Sequence, residues 1–146
     1  MNLSIEVSRK ISRAYNAMCK PLCKELELSQ TAFDILMFLG NNPNYNTAGE
    51  IVEIRRIKAN LVSVNVERLV REGYLLRKQV EGDRRKTGLI CTDKAKPIIE
   101  RGRKLQKAFT ERMFLNMDDG LRKAFSEATD IIEKNLNEIL KAENKL

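Results

Sequence analysis

The segment 47–92 constrains the fold most strongly, because capping residues, apolar periodicity and turn residues divide it into two helices and two strands. Thr47 and Glu50 form a T-x-x-E capping box, which predicts the first turn of a short helix. A second helix is predicted over residues 58–72, and Gly73 lies where a left-handed helix end is favoured. The apolar residues of this second helix recur at steps of three or four and should face inward: Val62, Val66, Leu69 and Val70.

Two strands are predicted after this helix pair. The first begins at Tyr74, Gly82-Asp83 supplies turn chemistry, and residues 87–92 form the second strand. A hairpin of two strands alone is marginally stable, so it must pack against the helices. Two helices joined by a tight turn and followed by a hairpin predict a winged helix-turn-helix, in which the hairpin is the wing.

Two further helices are predicted before this core. An apolar stripe over residues 7–26 predicts a long helix, which Pro21 should kink because it lacks an amide donor. Ser29 can cap the next helix, and the run 40–43, which contains Gly, Asn and Pro, ends it.

Two long helices are predicted after the wing. Thr92-Asp93 should open the first of them, with a first turn distorted by Pro97, and Asp118 should open the last. The predicted fold is therefore mainly α with a small β-hairpin wing, in the order α-α-α-α-β-β-α-α. The inward face of the last helix is predicted to consist of Leu121, Phe125, Ala128, Ile132, Leu136 and Ile139.

The apolar stripes of the first and last helices, over residues 7–26 and 121–139, are too long to be buried by one small winged head. They predict a partner surface. Pairing of two like chains about a two-fold axis is the commonest way to supply one, so we expect a homodimer.

The composition fits one domain over residues 1–146, with 42% hydrophobic and 32% charged residues. No apolar run approaches the ~18 residues of a membrane span, and residues 1–13 mix charged with apolar residues, so we expect a cytoplasmic protein and no membrane partner. The absence of histidine excludes His-dependent catalytic triads and most zinc and iron ligand sets. We therefore predict no metal, no cofactor and no enzymatic activity.

The net charge of +7 is concentrated in one part of the chain. Residues 55–104 hold 15 Lys/Arg against 6 Asp/Glu, a balance of +9, whereas residues 1–54 and 105–146 each carry −1. A block of one sign is typical of a protein that binds a polyanion, although a solvated basic surface without a ligand is the alternative.

The order of these motifs resembles the MarR family of bacterial transcription regulators. Five fragments carry the resemblance, and together with the flanking helices they extend it over nearly the whole chain: Leu28-Ser29-Gln30, Thr47-x-x-Glu50-Ile51, Leu69-Val70-Arg71-Glu72-Gly73-Tyr74-Leu75, Asp83-Arg84-Arg85 and Leu89-Ile90-Cys91-Thr92-Asp93-Lys94. Asp83-x-Arg85 matches the D-x-R of the family's wing. The chain departs from the family pattern at Arg55-Arg56, where the turn usually has an apolar residue and Gly, at Lys58 and at Val64.

The resemblance implies a regulator built from a winged helix-turn-helix over residues 29–96 and from dimerisation helices over residues 1–28 and 97–146. It further implies a homodimer that binds a palindromic operator in double-stranded DNA, acting as a repressor. Family members are often released from DNA by a small molecule that binds between the dimer helices and the reading head. We expect an aromatic or other apolar anion in that role.

Two groups of residues are candidates for DNA contact. On the outward face of helix 58–72, an amide can read adenine, a hydroxyl can bond several base edges, and small apolar groups can touch a thymine methyl. These residues are Lys58, Ala59, Asn60, Ser63, Val64 and Glu67. Cations on the wing and near it are expected to contact the DNA backbone and the narrow minor groove, with Asp83 orienting one of them. They are Arg55, Arg56, Arg68, Arg77, Arg84, Arg85 and Lys86.

Three other interpretations remain open at this point. A winged helix can serve protein assembly instead of DNA binding, although such a module does not need a basic wing. An enzyme would need converging carboxylates or thiols. Cys19 and Cys23 lie one helical turn apart and, with Cys91, offer a thiol-based redox switch, but buried cysteines more often serve as small apolar residues.

Overall fold

The computed structural model describes the backbone of residues 3–144; the side chains of residues 3–4 and 83–86 lie outside the described set. The predicted element order and the mainly helical fold class are confirmed. No helix in the described range is long and apolar enough to cross a membrane. The elements are α1 (Leu3–Leu26), α2 (Gln30–Asn41), α3 (Ala48–Arg55), α4 (Ala59–Arg71), β1 (Leu75–Val80), β2 (Asp83–Cys91), α5 (Lys96–Met113) and α6 (Asp119–Glu143).

The chain divides into two compact units, one ending at Phe109 and the other beginning at Thr110. The hydrophobic core of the first unit is built around α2, which is buried along most of its length because α1, α3, α4 and β2 all pack against it. The largest fully buried side chains come from α2, α3, α4 and β1: Phe33, Ile35, Leu36, Ile51, Val62, Leu69 and Leu75.

Close packing of α5 against α2 depends on two glycines. A β-carbon at Gly102 would collide with Met37 and lie 3.1 Å from the ring of Phe33, and one at Gly40 would lie 2.7 Å from Ile99. Because neither glycine has a side chain, the two helices can approach each other closely, and this fixes α5 on the winged core.

The predicted helix starts at Ser29, Thr47 and Asp118 are confirmed. The Ser29 hydroxyl accepts a hydrogen bond from the Ala32 amide at 3.0 Å, and the Asp118 carboxylate accepts one from the Leu121 amide at 2.8 Å. The capping box of α3 is complete, and the C-terminal end of α4 is followed by Gly73 at φ +85°. These side chains satisfy amides that the first helical turn leaves without partners.

The prediction that the second strand begins at Thr87 is wrong, since β2 starts at Asp83. Gly82 has φ +85°, which lets the chain reverse within a two-residue turn and resume strand pairing at once. Leu75 pairs with Cys91 and Gln79 with Thr87, and a register shift then brings Val80 opposite Asp83. A bridge from Thr47 to Gly88 ties β2 to the start of α3.

The prediction that Thr92-Asp93 opens α5 is also wrong. The Thr92 hydroxyl donates to the carbonyl oxygens of Gly73 at 2.6 Å and Tyr74 at 3.2 Å, so it holds the α4–β1 junction instead of capping a helix. Because α5 begins at Lys96, Pro97 falls in its first turn, where an amide donor is not needed. Pro21 lies inside α1, which continues through it; the kink predicted there stays a prediction.

The prediction of an inward face on α6 is wrong for the single chain. No residue of α6 is buried, and the six residues predicted to face inward are all exposed to solvent. The apolar pattern of this helix is present, but its own unit provides no core to cover it.

Candidate nucleic-acid interface

The helix-turn-helix presents the outward face of α4 to solvent. Val62, Val66 and Leu69 anchor the opposite face in the core, since each is at most 4% exposed. The six residues predicted for base contact are all exposed, and the backbone brings them to one side and to the start of the helix: Lys58, Ala59, Asn60, Ser63, Val64 and Glu67. The predicted reading residues are therefore accessible together.

The start of α4 is suited to a phosphate group. Lys58 occupies the N-cap position without a capping hydrogen bond from its side chain, and the helix that follows is 13 residues long. The amides of a first helical turn and the positive end of the helix dipole attract anions. Arg56 closes the turn before it in the left-handed region, at φ 58°.

The other predicted cations differ in their surroundings. Arg77 is exposed on β1, and Arg55 lies 3.4 Å from the carboxylate of Asp34 while its side chain stays partly exposed. Arg68 is held within the fold, because it donates to Glu72 at 3.0 Å and to the carbonyl oxygen of Glu27 at 2.7 Å. Its guanidinium joins the end of α1 to α4.

The wing extends from the winged core as an antiparallel hairpin whose turn is Glu81-Gly82. The predicted contact residues Arg84, Arg85 and Lys86, with Asp83, lie at the beginning of β2, where the register shift occurs. Their side chains lie outside the described residues. The backbone therefore places these four residues at the wing tip, and nothing further is described for them.

Residues 26–86 match the model of the MarR family, a span that holds the helix-turn-helix and most of the wing. Over these residues the chain is similar to the MarR family. Members of that family are DNA-binding transcription regulators without enzymatic activity.

Solved MarR structures share the whole fold. A MarR protein from Peptoclostridium difficile is 26% identical, with a TM-score of 0.80 over 97% of this chain and 92% of that one. A MarR transcriptional regulator from Methanosarcina mazei is 20% identical, with a TM-score of 0.80 over 95% of this chain and 99% of that one. A MarR family regulator from Listeria monocytogenes complexed with 26mer DNA is 18% identical, with a TM-score of 0.78 over 94% of this chain and 89% of that one. No curated protein matches the sequence.

One polar residue of α4 was missed at the level of sequence. Asn65 is only 9% exposed; its side-chain oxygen accepts from the Ser29 hydroxyl at 2.8 Å, and its amide donates to the Leu61 carbonyl at 2.8 Å. Ser29 thus caps α2 and binds α4 with the same hydroxyl. The sequence carried a signal for this residue, since Asn65 lies within the apolar stripe between Val62 and Leu69. A polar side chain buried there requires a hydrogen-bond partner.

A cleft of about 200 Å³ lies inside the first unit, between α1, α2, α3 and α5. Burial raises the pKa of its Asp34 carboxyl, and Gln30 and Arg55 act in the opposite direction. Tyr15 accepts a hydrogen bond from Gln106 at 2.9 Å, and burial raises its pKa. The lining is mostly polar: Tyr15, Asp34, Met37, Phe38, Asn41, Asn42, Arg55 and Gln106.

The cysteines have the properties of packing residues. Cys19 and Cys23 are buried, and burial raises the pKa of both thiols, that of Cys23 to about 11. Burial also raises the pKa of the Cys91 thiol. A neutral thiol is a poor nucleophile, so these surroundings disfavour a thiolate-based switch. The described residues contain no group of three or more side chains suited to a metal ion.

Proposed function

We propose that this chain is a sequence-specific regulator of transcription that binds double-stranded DNA as a homodimer in the cytoplasm and acts as a repressor on a palindromic operator. The observation that carries the proposal is the exposed outward face of α4, which is anchored by Val62, Val66 and Leu69 within the most basic part of the chain. A firmly packed helix with an accessible polar face is what major-groove reading requires.

Electrostatics supports duplex DNA as the partner. The balance of +9 over residues 55–104 includes the turn before α4, the reading helix and the wing. Contacts from such cations to phosphates position a protein on DNA and make the affinity strongly dependent on salt. The Listeria relative was solved in complex with 26mer DNA, which supports the same partner here.

Uncovered apolar surface supports the homodimer. Near the start of α1, Ile5, Val7 and Ile11 are exposed, and along α6 large apolar residues are exposed over most of its length. Surfaces of this kind mark protein interfaces, and two-fold pairing of like chains is the commonest arrangement. A two-fold dimer presents two copies of α4, so a palindromic operator follows from the symmetry.

The cleft around Asp34 supports release by a small molecule. Arg55 ends α3 and lies 3.4 Å from Asp34, so a ligand that separates this pair acts directly on the helix-turn-helix. An apolar anion was expected, but the Asp34 carboxylate opposes an anion in so small a space. A compact ligand with a cationic or hydrogen-bond-donating group fits the lining better.

Selection from a random duplex library, followed by titration over a salt series, tests the proposed function. We expect enrichment of palindromic sites, tighter binding to them than to random duplex, and a steep fall of affinity with salt. In vitro transcription from a promoter carrying the selected site should decrease when the protein is added. Equal and salt-insensitive binding to all duplexes would favour the alternative, a winged-helix module for protein assembly.

Thermal shift with two panels of small compounds tests the cleft. Aromatic amines and guanidines should stabilise the protein and weaken its binding to the selected duplex, with a coupling of about 1–3 kcal/mol. Asp34→Asn should remove both effects. If only aromatic carboxylates act, our assignment of the ligand's charge is wrong; if neither panel acts, the cleft is not a regulatory site.

A further inference from the structure

The reading face of α4 carries exposed apolar side chains that the fold does not use. Val64 is 67% exposed and Leu61 is 44% exposed, although both lie within a well-packed helix. Asn60 and Val64 are four residues apart and therefore share one side of the helix, opposite Val62. In the major groove, the chemical group complementary to an exposed valine is the 5-methyl of thymine.

The same face lacks the side chains that read guanine. Guanine presents two acceptors, O6 and N7, and its usual partner is a bidentate Arg or Lys. From Ala59 to Val66 the helix has no Arg or Lys, and the Glu67 carboxylate that follows repels the guanine acceptors; its own partner in the major groove is the N4 donor of cytosine. Base reading by a helix-turn-helix uses mainly the N-terminal part of its recognition helix, so this is the part that matters.

The cations at the two ends of α4 lie outside the stretch that holds Asn60 and Val64. Lys58 precedes the first turn, where a helix terminus binds phosphate. Arg68 is bound to Glu72 and to the Glu27 carbonyl. Arg71 is the last residue of the helix, at the end away from the reading turns.

We infer that Val64 and Asn60 read an A·T step in each half-site, with Val64 contacting a thymine methyl and Asn60 hydrogen bonding to a neighbouring adenine. Asn pairs with adenine through N6 and N7, so one side of the helix recognises both members of an A·T step. This inference rests on the proposed function, because it assigns the base preference of that DNA contact. Leu61 adds apolar surface beside Val64.

The experiment uses the full chain and the tightest duplex selected from a random 30-base-pair library. Every thymine in its half-sites is replaced in turn by deoxyuridine, which lacks only the methyl group. We expect one symmetric pair of replacements to weaken binding about 15-fold, which corresponds to about 4-fold for each methyl that leaves an apolar contact. Val64→Ala should bind the parent duplex more weakly and should lose this sensitivity to deoxyuridine.

Leu76→Ala is the matched control, since Leu76 is a similarly exposed apolar residue on β1, at 58%, and its truncation should leave the deoxyuridine effect intact. The inference is overturned if no thymine replacement lowers affinity or if Val64→Ala keeps the full deoxyuridine effect. It is also overturned if Asn60 and Val64 contact guanine in the selected half-sites. In each of these cases the protein still selects a sequence, so the proposed function stands. If no sequence is enriched, the proposed function fails, and the inference fails with it.

Discussion

Helix α4 and the last helix, α6, have similar amphipathic patterns, but the apolar face of α4 is buried and that of α6 is exposed. In α4 the apolar stripe of Val62, Val66 and Leu69 is buried, because α2, α3 and β1 of the same chain cover it. In α6 the corresponding stripe is open, with Ile132 at 56% exposure. An apolar stripe predicts that a helix face will be covered, but it does not say whether the same chain or another one covers it.

The largest effect that separates the two regions is expected from loss of a phenylalanine ring. Phe33→Ala removes a fully buried side chain from the centre of the winged core and should lower the free energy of unfolding by about 3–5 kcal/mol. Phe125→Ala on α6 is the matched control, since that ring is 47% exposed in the single chain.

Urea unfolding at several protein concentrations distinguishes the two variants. The loss in Phe33→Ala should not depend on concentration, because it arises within one chain. Truncation of Phe125 should weaken the dimer and not the single chain. The difference in urea midpoint between Phe125→Ala and the parent should therefore change with protein concentration. A concentration-independent loss of equal size in both variants would show that α6 is covered by its own chain.

A charge in the α6 stripe should act on assembly. Ile132→Glu places a carboxylate where the proposed dimer excludes water, so the dimer dissociation constant should rise at least about 100-fold, or about 2.7 kcal/mol. Asn137→Glu adds the same charge on the opposite side of α6 and should leave assembly unchanged. Sedimentation equilibrium measures both; a dimer that tolerates Ile132→Glu would place the interface elsewhere.

The two helix caps provide a smaller test. Ser29→Ala removes the cap of α2 and leaves the buried oxygen of Asn65 without its donor, so we expect a loss of about 2 kcal/mol. Asp118→Ala removes an exposed cap of α6 that has no such second role and should cost about 1 kcal/mol. Thermal unfolding measures both, and equal losses would mean that the Ser29–Asn65 bond does not stabilise the fold.

Local signals predicted the caps and the left-handed Gly73, because each depends on neighbouring residues only. They failed where a distant partner decides the outcome. Thr92 reads as a helix cap, but its hydroxyl bonds to carbonyls 18 and 19 residues away. Asn65 reads as a misplaced polar residue until Ser29, 36 residues earlier, supplies its donor. The exposed face of α6 follows the same rule, since the pattern that predicts the helix does not say what packs against it.

The buried thiols give the smallest expected effect. A pKa of about 11 for Cys23, instead of the ordinary 9, lowers its thiolate fraction at pH 8 about 100-fold. Alkylation by iodoacetamide should therefore be about 100-fold slower in the native protein than in urea, and it should accelerate as the pH rises toward 11. Rapid alkylation of native Cys23 at pH 8, located by mass spectrometry, would reopen the thiol-switch interpretation.

The most direct test of the central claim compares DNA binding by Asn60→Ala and Arg85→Ala at several salt concentrations. If α4 reads bases and the wing binds phosphates, Asn60→Ala should cost about 1–3 kcal/mol per half-site on the selected operator and leave random duplex unaffected. Arg85→Ala should weaken both duplexes and lower the log–log salt slope by about 1 for each lost phosphate contact. Full sequence preference in Asn60→Ala, or an unchanged salt slope in Arg85→Ala, would contradict the account.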